Sequence, residues 1–498
     1  MLRRLLTALL ALLAMLAVRV PVLAEGAQRA LLLGFDVFVT QENTAPAAAN
    51  NVARMEAALS GGEMSFDRIT VSVNEVATVD TFEALALEAL GDAKQEDTSY
   101  FYISTHGLWQ PGEPNEEMRL LLSDGETEES LTAARLRTIF DQIPGTKVLI
   151  LDACHSGAMI GKGVHAPFTN VFAGGDYKVL CSSGGAEESW LWTNHESGES
   201  YGAGYFSTAL TNGITMSGAY GADVNRDGSI TLTEMKRYLL EHHGASTTRC
   251  YPEEDDFVLF RYDPQIVMGQ RRGVTIDALM FDTDVMDEVA PAADFSFTVH
   301  MPVRVAYQLV HQEKGRWDFS NVTMLWDNAE RYGEFGDVSG YLSPGVKSRT
   351  ITIDREEETS YGYALLQMLT VEDGEPSMVS SRVLCIPPLY GNPKLAFEMP
   401  AGFTPSLGEE YTFAILHEYP CEITVLVEDL DGNPVRRLTS RQATRPEHLS
   451  PMGSTMCWTG KLADGSLASP GTYRIRATAY VGGMAYEALS APFMLRGE

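Results

Sequence analysis

The most informative stretch of this sequence reads Val148-Leu-Ile-Leu-Asp-Ala-Cys-His-Ser-Gly157. Four apolar residues are followed at once by small and polar residues, a pattern typical of a buried strand that ends in a turn. A second stretch, Tyr100-Phe-Tyr-Ile-Ser-Thr-His-Gly107, has the same form. Short apolar runs of this kind are typical of parallel sheets that are covered on both faces. We therefore predict that both stretches are strands of one α/β sheet.

The surrounding residues, 25–265, favour the same fold because they alternate short apolar runs with helical patterns. Such an alternation predicts a mostly parallel sheet flanked by helices. Thr132 is a suitable cap for one of these helices, and Pro144-Gly145 ends it. The other predicted strands are 30–34, 69–73, 178–182 and 257–260, and the other predicted helices are 50–59 and 82–89.

The ends of the two quoted strands carry residues that suit covalent catalysis. His106 and Cys154 follow their strands directly and lie 48 residues apart. Ligands bind at the carboxyl ends of parallel strands, so the two side chains should meet there if the strands are neighbours. A thiol has a pKa of about 8.5, so an imidazole that takes its proton at neutral pH turns it into a nucleophile. The amides of Gly107 and Cys154 are then natural donors to the oxyanion of the tetrahedral intermediate.

The two blocks that end in His106-Gly107 and in Asp152-Ala-Cys-His-Ser-Gly157 resemble the signature blocks of metacaspases and bacterial caspase-like peptidases. The resemblance covers residues 25–265. It implies the caspase–hemoglobinase α/β fold and a cysteine-type endopeptidase, with Cys154 as nucleophile and His106 as general base and acid. His155 is a competing histidine, but adjacent residues in a turn usually point apart, so we assign the role to His106.

Asp152 bears on substrate specificity because it lies two residues before the nucleophile. The metacaspase resemblance implies that this carboxylate lines the S1 pocket and pairs with Arg, or less surely Lys, at P1. The family often has a second acid on the first helix, where this sequence has Asn50-Asn51-Val52 instead. Glu187 and Glu188 could compensate, although acids in a loop are more often simply solvated. The alternative is that Asp152 only braces its loop through hydrogen bonds.

A calcium-binding loop is predicted at residues 223–234, inside the peptidase domain. The twelve residues place oxygen-bearing side chains at the positions that such loops use, and Gly228 permits the sharp turn at the sixth. The alternative is a chance Asp- and Gly-rich turn. We predict that Ca²⁺ binds here and supports activity, with Asp223, Asn225, Asp227, Ser229 (through its carbonyl) and Glu234 as ligands.

Beyond residue 265 the apolar residues recur with a period of two, between turns rich in Gly, Pro and Asp. This pattern predicts two β-sandwich domains, at 274–388 and 389–498. The stretch from Val427 to Tyr473 resembles the immunoglobulin-like module of flagellar hook-capping proteins, which implies attachment or spacing. The resemblance names no ligand, so a cell-surface ligand for the sandwiches is left open.

Residues 1–24 are predicted to be a cleaved signal peptide. Arg3 and Arg4 precede an apolar run that is shorter than a membrane span, and Val22-Leu-Ala24 suits a signal peptidase. The alternative is an uncleaved anchor. A net charge of −30 repels nucleic acid and anionic membranes, which favours a secreted, soluble protein. Of the six cysteines, Cys421 and Cys457 could pair.

The leading interpretation is therefore a secreted cysteine endopeptidase that acts on protein or peptide substrates, has no stable membrane insertion after signal cleavage, and uses calcium as its cofactor. Lys162 lies in a segment, 158–176, where self-processing is conceivable. One alternative is the same enzyme with a different P1 preference. Another is a catalytically idle caspase-like fold that acts as a calcium-stabilised extracellular binding or adhesion protein.

Overall fold

The structure is a computed structural model of the chain. The predicted signal peptide, 1–24, lies outside the residues that it describes. The described residues are 26–497, apart from 45–46, 63, 164–167, 193–201, 216–217, 219, 264–275, 277–278, 282–284, 287–291, 314–315, 327–339, 353–360, 373–374 and 450–451.

The first half of the chain alternates strands and helices as predicted. Thr132 accepts a hydrogen bond from the amide of Arg135 and so caps its helix, as the sequence indicated. The elements are β1 (Gln28–Gly34), α1 (Ala47–Gly61), β2 (Phe66–Val73), α2 (Val79–Leu90), β3 (Thr98–Ser104), β4 (Gly107–Leu108), β5 (Arg119–Ser123), β6 (Glu128–Thr132), α3 (Ala133–Phe140), β7 (Thr146–Asp152), β8 (Tyr177–Cys181), β9 (Leu191–Trp192), β10 (Ala203–Gly204), α4 (Tyr205–Gly213), β11 (Ser229–Thr231), α5 (Leu232–His242), β12 (Arg249–Tyr251) and β13 (Val258–Arg261).

A six-stranded sheet with the order β12-β8-β7-β3-β1-β2 organises this half. Five of its strands are parallel, and β12 pairs antiparallel with β8 at one edge. The predicted strand 257–260 does form, as β13, but it pairs with β11 outside this sheet. The edge position belongs to β12, which is only three residues long and has no apolar run that sequence patterns could reveal.

Helices cover both faces of the sheet, as its all-apolar strands require. Phe101 and Leu149 point to the face packed by α2 and α3, whereas Tyr102 and Ile150 point to the face packed by α1, α4 and α5. The alternation of side chains along each strand therefore divides one apolar run between two cores.

The second half is mostly antiparallel β structure, arranged as pairs of sheets around separate cores. Its two-sheet regions agree with the predicted sandwich architecture, while the domain boundaries and the immunoglobulin-like assignment stay predictions. The strands are β14 (Met280–Phe281), β15 (Ala292–Val299), β16 (Val305–Glu313), β17 (Arg316–Trp326), β18 (Gly345–Thr352), β19 (Gly362–Glu372), β20 (Glu375–Ile386), β21 (Ala396–Glu398), β22 (Gly402–Phe403), β23 (Tyr411–His417), β24 (Glu422–Asp429), β25 (Pro434–Ala443), β26 (His448–Leu449), β27 (Met452–Trp458), β28 (Gly471–Val481), β29 (Met484–Leu489) and β30 (Phe493–Leu495).

Two global features complete the description. All six cysteines are free thiols in this structure, so the pair considered between Cys421 and Cys457 does not form. Among the described residues, every helix is too short or too polar to cross a membrane.

Candidate active site

The two signature strands, β3 and β7, are neighbours in the sheet, with Ser104 opposite Asp152. The amide of Thr105 donates to the carbonyl of Asp152 at 3.2 Å, so the pairing continues past the strand ends. A Cβ atom on Gly107 would lie 1.9 Å from the carbonyl oxygen of Cys154. Gly107 and Cys154 are therefore in backbone contact, and only glycine fits at that contact.

A backbone carbonyl orients the imidazole of His106. Its Nε2 atom lies 2.9 Å from the carbonyl oxygen of Glu42, and its ring packs on Phe38 with the centroids 4.5 Å apart. A carbonyl oxygen can only accept, so Nε2 carries the proton in this contact. The Nδ1 atom then has the free lone pair, which makes it the basic atom of the ring.

Glu42 is a functional residue that sequence reasoning missed. Its contribution is a main-chain oxygen, which every residue type possesses, so its side chain gives no signal. The loop that presents it is tied by Glu128, whose carboxylate accepts from the amide of Val39 at 2.9 Å and from the hydroxyl of Thr40.

The thiol of Cys154 is half-buried and contacts Ser189. The amide of Ser189 donates to Sγ at 3.3 Å, and Sγ lies 3.7 Å from the carbonyl oxygen of the same residue. Burial raises the pKa of the thiol to about 11, and the nearby charges of Glu188 and Asp152 act in the same direction. A thiol with a pKa raised in this way is protonated at neutral pH, so a role as nucleophile would require a base.

His155 is held away from that role. Its residue has a φ of 61°, its Nδ1 atom lies 2.8 Å from the carbonyl oxygen of Gly185, and its amide donates to the carbonyl of Glu187. Burial also lowers the pKa of the His155 imidazole. These contacts are consistent with the assignment of the base to His106.

Asp152 is buried, with 4% of its surface exposed, at the start of the loop that carries Cys154. Its carboxylate accepts hydrogen bonds from the hydroxyls of Ser207 at 2.6 Å and Ser189 at 2.9 Å, and from the amide of Asn51 at 3.4 Å. Burial is the largest effect on its pKa and raises it, while the serine hydroxyls oppose that rise. A Cβ atom on Gly204 would lie 2.6 Å from the carboxylate, so β10 covers it closely. This geometry corresponds to the bracing alternative, and the S1 role stays a prediction.

Asn51 takes the place near Asp152 where a second acid was considered. Besides Asp152, its amide contacts the hydroxyl of Ser104 at 3.0 Å and accepts from the amide of Gly204 at 2.7 Å. A neutral residue here ties β3, β7 and β10 together without adding negative charge.

Glu187 does not act as a solvated loop acid. It is 8% exposed and accepts from the amides of Gly184 at 2.8 Å and Thr247 at 3.1 Å. Burial, and then the charge of Glu447, raises its pKa to about 7, while Arg249 opposes the rise. The compensation suggested for Glu187 is therefore not what the structure shows, because its buried carboxylate is already occupied by Gly184 and Thr247.

Glu188 borders a cavity beside the thiol loop. The cavity has a volume of about 280 Å³ and lies where the first half of the chain meets β16, β17 and the segment just before β26. Its walls include His155, Glu187, Glu188, Trp190, Trp317 and Glu447.

The predicted calcium loop, 223–234, adopts a tight turn followed by a helix start. The carboxylate of Asp223 accepts from the amides of Arg226 at 2.6 Å and Gly228 at 2.9 Å, and Gly228 has a φ of 88°. Glu234 is the third residue of α5 and forms a capping box with Thr231. The loop therefore has the turn and the helix start that a twelve-residue calcium loop needs.

The loop oxygens are not drawn together in this structure. Within the described residues, the one group of three acidic or sulfur ligands with atoms within 4.8 Å of one another is Glu253, Glu410 and Cys457, none of which belongs to the loop. The donor set of the loop is entirely oxygen, which suits a hard cation such as Ca²⁺. The residues present thus fit calcium by type and order.

Comparison with known proteins bears on the fold. Residues 9–175, which include both His106 and Cys154, match the model of the CHAT domain. No curated protein matches the sequence.

Similar solved structures include caspase-1 from Spodoptera frugiperda, with 14% identity, 43% of this chain and 77% of that chain covered, and a TM-score of 0.29. The Drosophila initiator caspase Dronc has 12% identity, 47% and 85% coverage, and a TM-score of 0.32. Dimeric latent PorU from Porphyromonas gingivalis has 11% identity, 50% and 22% coverage, and a TM-score of 0.19. The match to the CHAT model supports a caspase-like fold for residues 9–175, the part of the chain that the model covers.

Proposed function

We propose that the chain is a cysteine endopeptidase in which Cys154 is the nucleophile and His106 is the general base and acid. The observation that carries this proposal is the strand-end junction, where Gly107 touches the backbone of Cys154 while the Glu42 carbonyl fixes the ring of His106. A histidine, a thiol and two amides at one sheet edge are the groups that acyl transfer needs.

The reaction follows from the protonation states. Nδ1 of His106 takes the thiol proton as Sγ attacks the carbonyl carbon of the scissile peptide, and the amides of Gly107 and Cys154 donate to the oxyanion. The imidazolium then protonates the leaving amine, and the acyl group stays on Sγ as a thioester. Water, deprotonated by the same imidazole, hydrolyses the thioester and restores the thiol.

We further propose a preference for Arg, and secondarily Lys, at P1. Asp152 and Glu188 both lie close enough to Cys154 to raise the pKa of its thiol, so the surroundings of the nucleophile favour a cation. Use of Asp152 by a substrate requires β10 to move from its contact with that carboxylate. The overall charge of −30 also attracts basic substrates.

Calcium and secretion belong to the same proposal. The loop would hold Ca²⁺ through Asp223, Asn225, Asp227, the carbonyl of Ser229 and Glu234, and the bound ion would neutralise the loop and order the start of α5. The segment after α5 donates from Ser246 to the carbonyl of Glu188 at 2.6 Å and from Thr247 to Glu187, next to Cys154. Secretion is supported by the signal-peptide pattern of residues 1–24.

One assay tests the proposal. Purified protein with calcium is offered fluorogenic peptides with Arg, Lys, Asp or Leu at P1, beside the Cys154→Ala variant. We expect cleavage after Arg by the parent protein and none by the variant. Cleavage only after Leu or Asp would remove the P1 proposal.

A second function is an idle caspase-like fold that binds other molecules. The observations that favour it are the protonated resting thiol and the covered carboxylate of Asp152. If no peptide is cleaved, with or without calcium, this second function takes precedence.

A further inference from the structure

The C-terminal β region (β21–β30, residues 396–495) contacts the loop that carries Cys154 through a buried lysine. Lys162 follows Cys154 by one short loop and is 1% exposed. Its Nζ atom lies 2.7 Å from a carboxylate oxygen of Glu253, 2.8 Å from one of Glu410 and 2.6 Å from the carbonyl oxygen of Cys250. Glu410 belongs to the second half of the chain, immediately before β23, so this ion pair crosses between the two halves.

Charge balance identifies Lys162 as part of a closed network. Glu253 is also paired with Lys236, and its amide donates to Glu410 at 2.6 Å. Two lysines thus face two carboxylates, which leaves no net charge for a metal ion to neutralise. The group formed by Glu253, Glu410 and Cys457 is therefore an ion-pair site rather than a metal centre. The burial of Lys162 also removes it as an accessible self-processing point.

The backbone of Lys162 reaches the second loop of the active site. Its amide donates to the carbonyl of Gly157, and its own carbonyl accepts from the amide of Gly185, each at 2.9 Å. The loop of Gly185 ends at Ser189, whose amide holds the thiol of Cys154. A displacement of Lys162 would thus shift the loops on both sides of Cys154.

A second contact between the two halves of the chain lies near that same loop. Arg249 is ion-paired with Glu447 of the C-terminal region and donates to the carbonyl of Thr455 at 3.3 Å. Glu447 is close enough to Glu187 to influence its pKa. The C-terminal region therefore contacts the loop after Cys154 through Glu410, and its Glu447 borders the same cavity as Glu187 in the loop before Ser189.

We propose that Lys162 is a positioning residue for Cys154, and that the C-terminal β region acts through Glu410 as part of the active-site scaffold rather than only as an attachment module. The proposal rests on the peptidase function in so far as it concerns catalysis. Its structural content, that docking of this region holds Cys154 in place, is separately testable.

The test is Glu410→Gln in the full chain, which keeps the side-chain shape and removes the charge. The matched control is Glu418→Gln in the same β region, where Glu418 pairs with the exposed Lys394. The probe is iodoacetamide, and alkylation of each cysteine is followed by mass spectrometry. Cys457 reports the interface, because it lies beside Glu410, and Cys181 of the central sheet reports global unfolding.

We expect Cys154 and Cys457 to be alkylated about fivefold faster or more in Glu410→Gln, because a loosened loop exposes the thiol and lowers its pKa. Cys181 should stay protected, and the control should match the parent protein. With a cleavable peptide, kcat should fall about tenfold with little change in KM, since misplacement of a nucleophile affects the chemical step.

Faster alkylation of Cys457 without any change at Cys154 would overturn the proposal, and so would unchanged rates at both. If Cys181 also reacts, the variant has unfolded, and the apolar pair Lys162→Met with Glu410→Leu replaces it. Restored protection of Cys154 together with Cys457 in that pair supports the proposal, whereas protection of Cys457 alone contradicts it. A parent protein that cleaves no peptide would refute the proposed function, while the alkylation rates would still decide the role of the C-terminal region.

Discussion

Two buried carboxylates flank Cys154, and the chain holds them in opposite ways. Asp152 is surrounded by neutral donors from its own half of the chain, namely Ser207, Ser189 and Asn51. Glu187 instead shares its surroundings with Arg249 and with Glu447 from the C-terminal region. Burial raises the pKa of both carboxyl groups, but only that of Glu187 is raised further by a charge from the C-terminal region.

The largest expected effect is on activity, and it concerns the backbone contact between Gly107 and Cys154. The Gly107→Ala substitution places a methyl group against the carbonyl of Cys154 and should lower kcat/KM by about a thousandfold or more, since catalytic units fail when their geometry is lost. Steady-state cleavage of an Arg peptide measures this. Gly61→Ala, at the end of α1 where a Cβ atom would meet nothing within 4 Å, is the control. If both variants keep similar activity, the strand-end contact is not what aligns the dyad.

The next effect separates the two roles of Asp152. Asp152→Asn keeps the size of the side chain and removes its charge, so cleavage after Arg should fall about 10–100-fold relative to cleavage after Leu, the value of a charge-assisted hydrogen bond. The ratio of kcat/KM for the two peptides is the measurement. An equal loss for both peptides would indicate that Asp152 only braces the loop.

Calcium removal should loosen the segment that contacts Glu187 and should leave the surroundings of Asp152 unchanged. Chelation should increase amide exchange at Ser246–Thr248, after α5, but not in β10, and should lower activity severalfold. It should also lower the Tm by several degrees, because a ligand that binds only the folded state stabilises it by about 2.7 kcal/mol at a hundredfold excess over its Kd.

Asp227→Ala should mimic chelation, whereas Asp464→Ala, in an exposed turn of the C-terminal region, should not. Activity and amide exchange that stay the same in excess chelator would refute the role of calcium.

The smallest effect is the pH dependence contributed by Glu187. Burial raises its folded-state pKa to about 7, above that of an unfolded chain, so the protonated form favours folding. Its stabilising contribution is complete below the unfolded pKa and is lost as the pH rises through about 7. The free energy of unfolding of the parent protein should therefore decrease relative to Glu187→Gln across this range, by an amount on the order of 1 kcal/mol. Denaturant titrations at pH 5 and pH 8 provide the measurement, and parallel curves would contradict the expectation.

Sequence patterns predicted most strands and helices of the first half of the chain. The apolar runs ending in His106 and Cys154 are neighbouring parallel strands, and Thr132 caps its helix. The pattern failed at the sheet edge, where β12 replaced the predicted strand 257–260. A three-residue strand is recognisable only by its partner, because it is too short to show a period.

Local chemistry explains why the sequence predicts these features. A buried strand must be apolar along its length, and a turn at its end must be small and polar, so both leave a record in consecutive residues. The residue types at the two turns likewise indicate the proposed nucleophile and base, and the order of oxygen ligands in 223–234 indicates a candidate cation.

Long-range contact decided the rest. The Glu42 carbonyl that orients His106, the serines that enclose Asp152, and the pairing of Lys162 with Glu410 join residues between 37 and 248 positions apart. Whether a charged side chain is solvated, braced or paired depends on what folding brings beside it, and the energy of a buried charge is set by those neighbours. A linear pattern holds no trace of them, so only the three-dimensional arrangement distinguishes a loop acid from an interdomain contact.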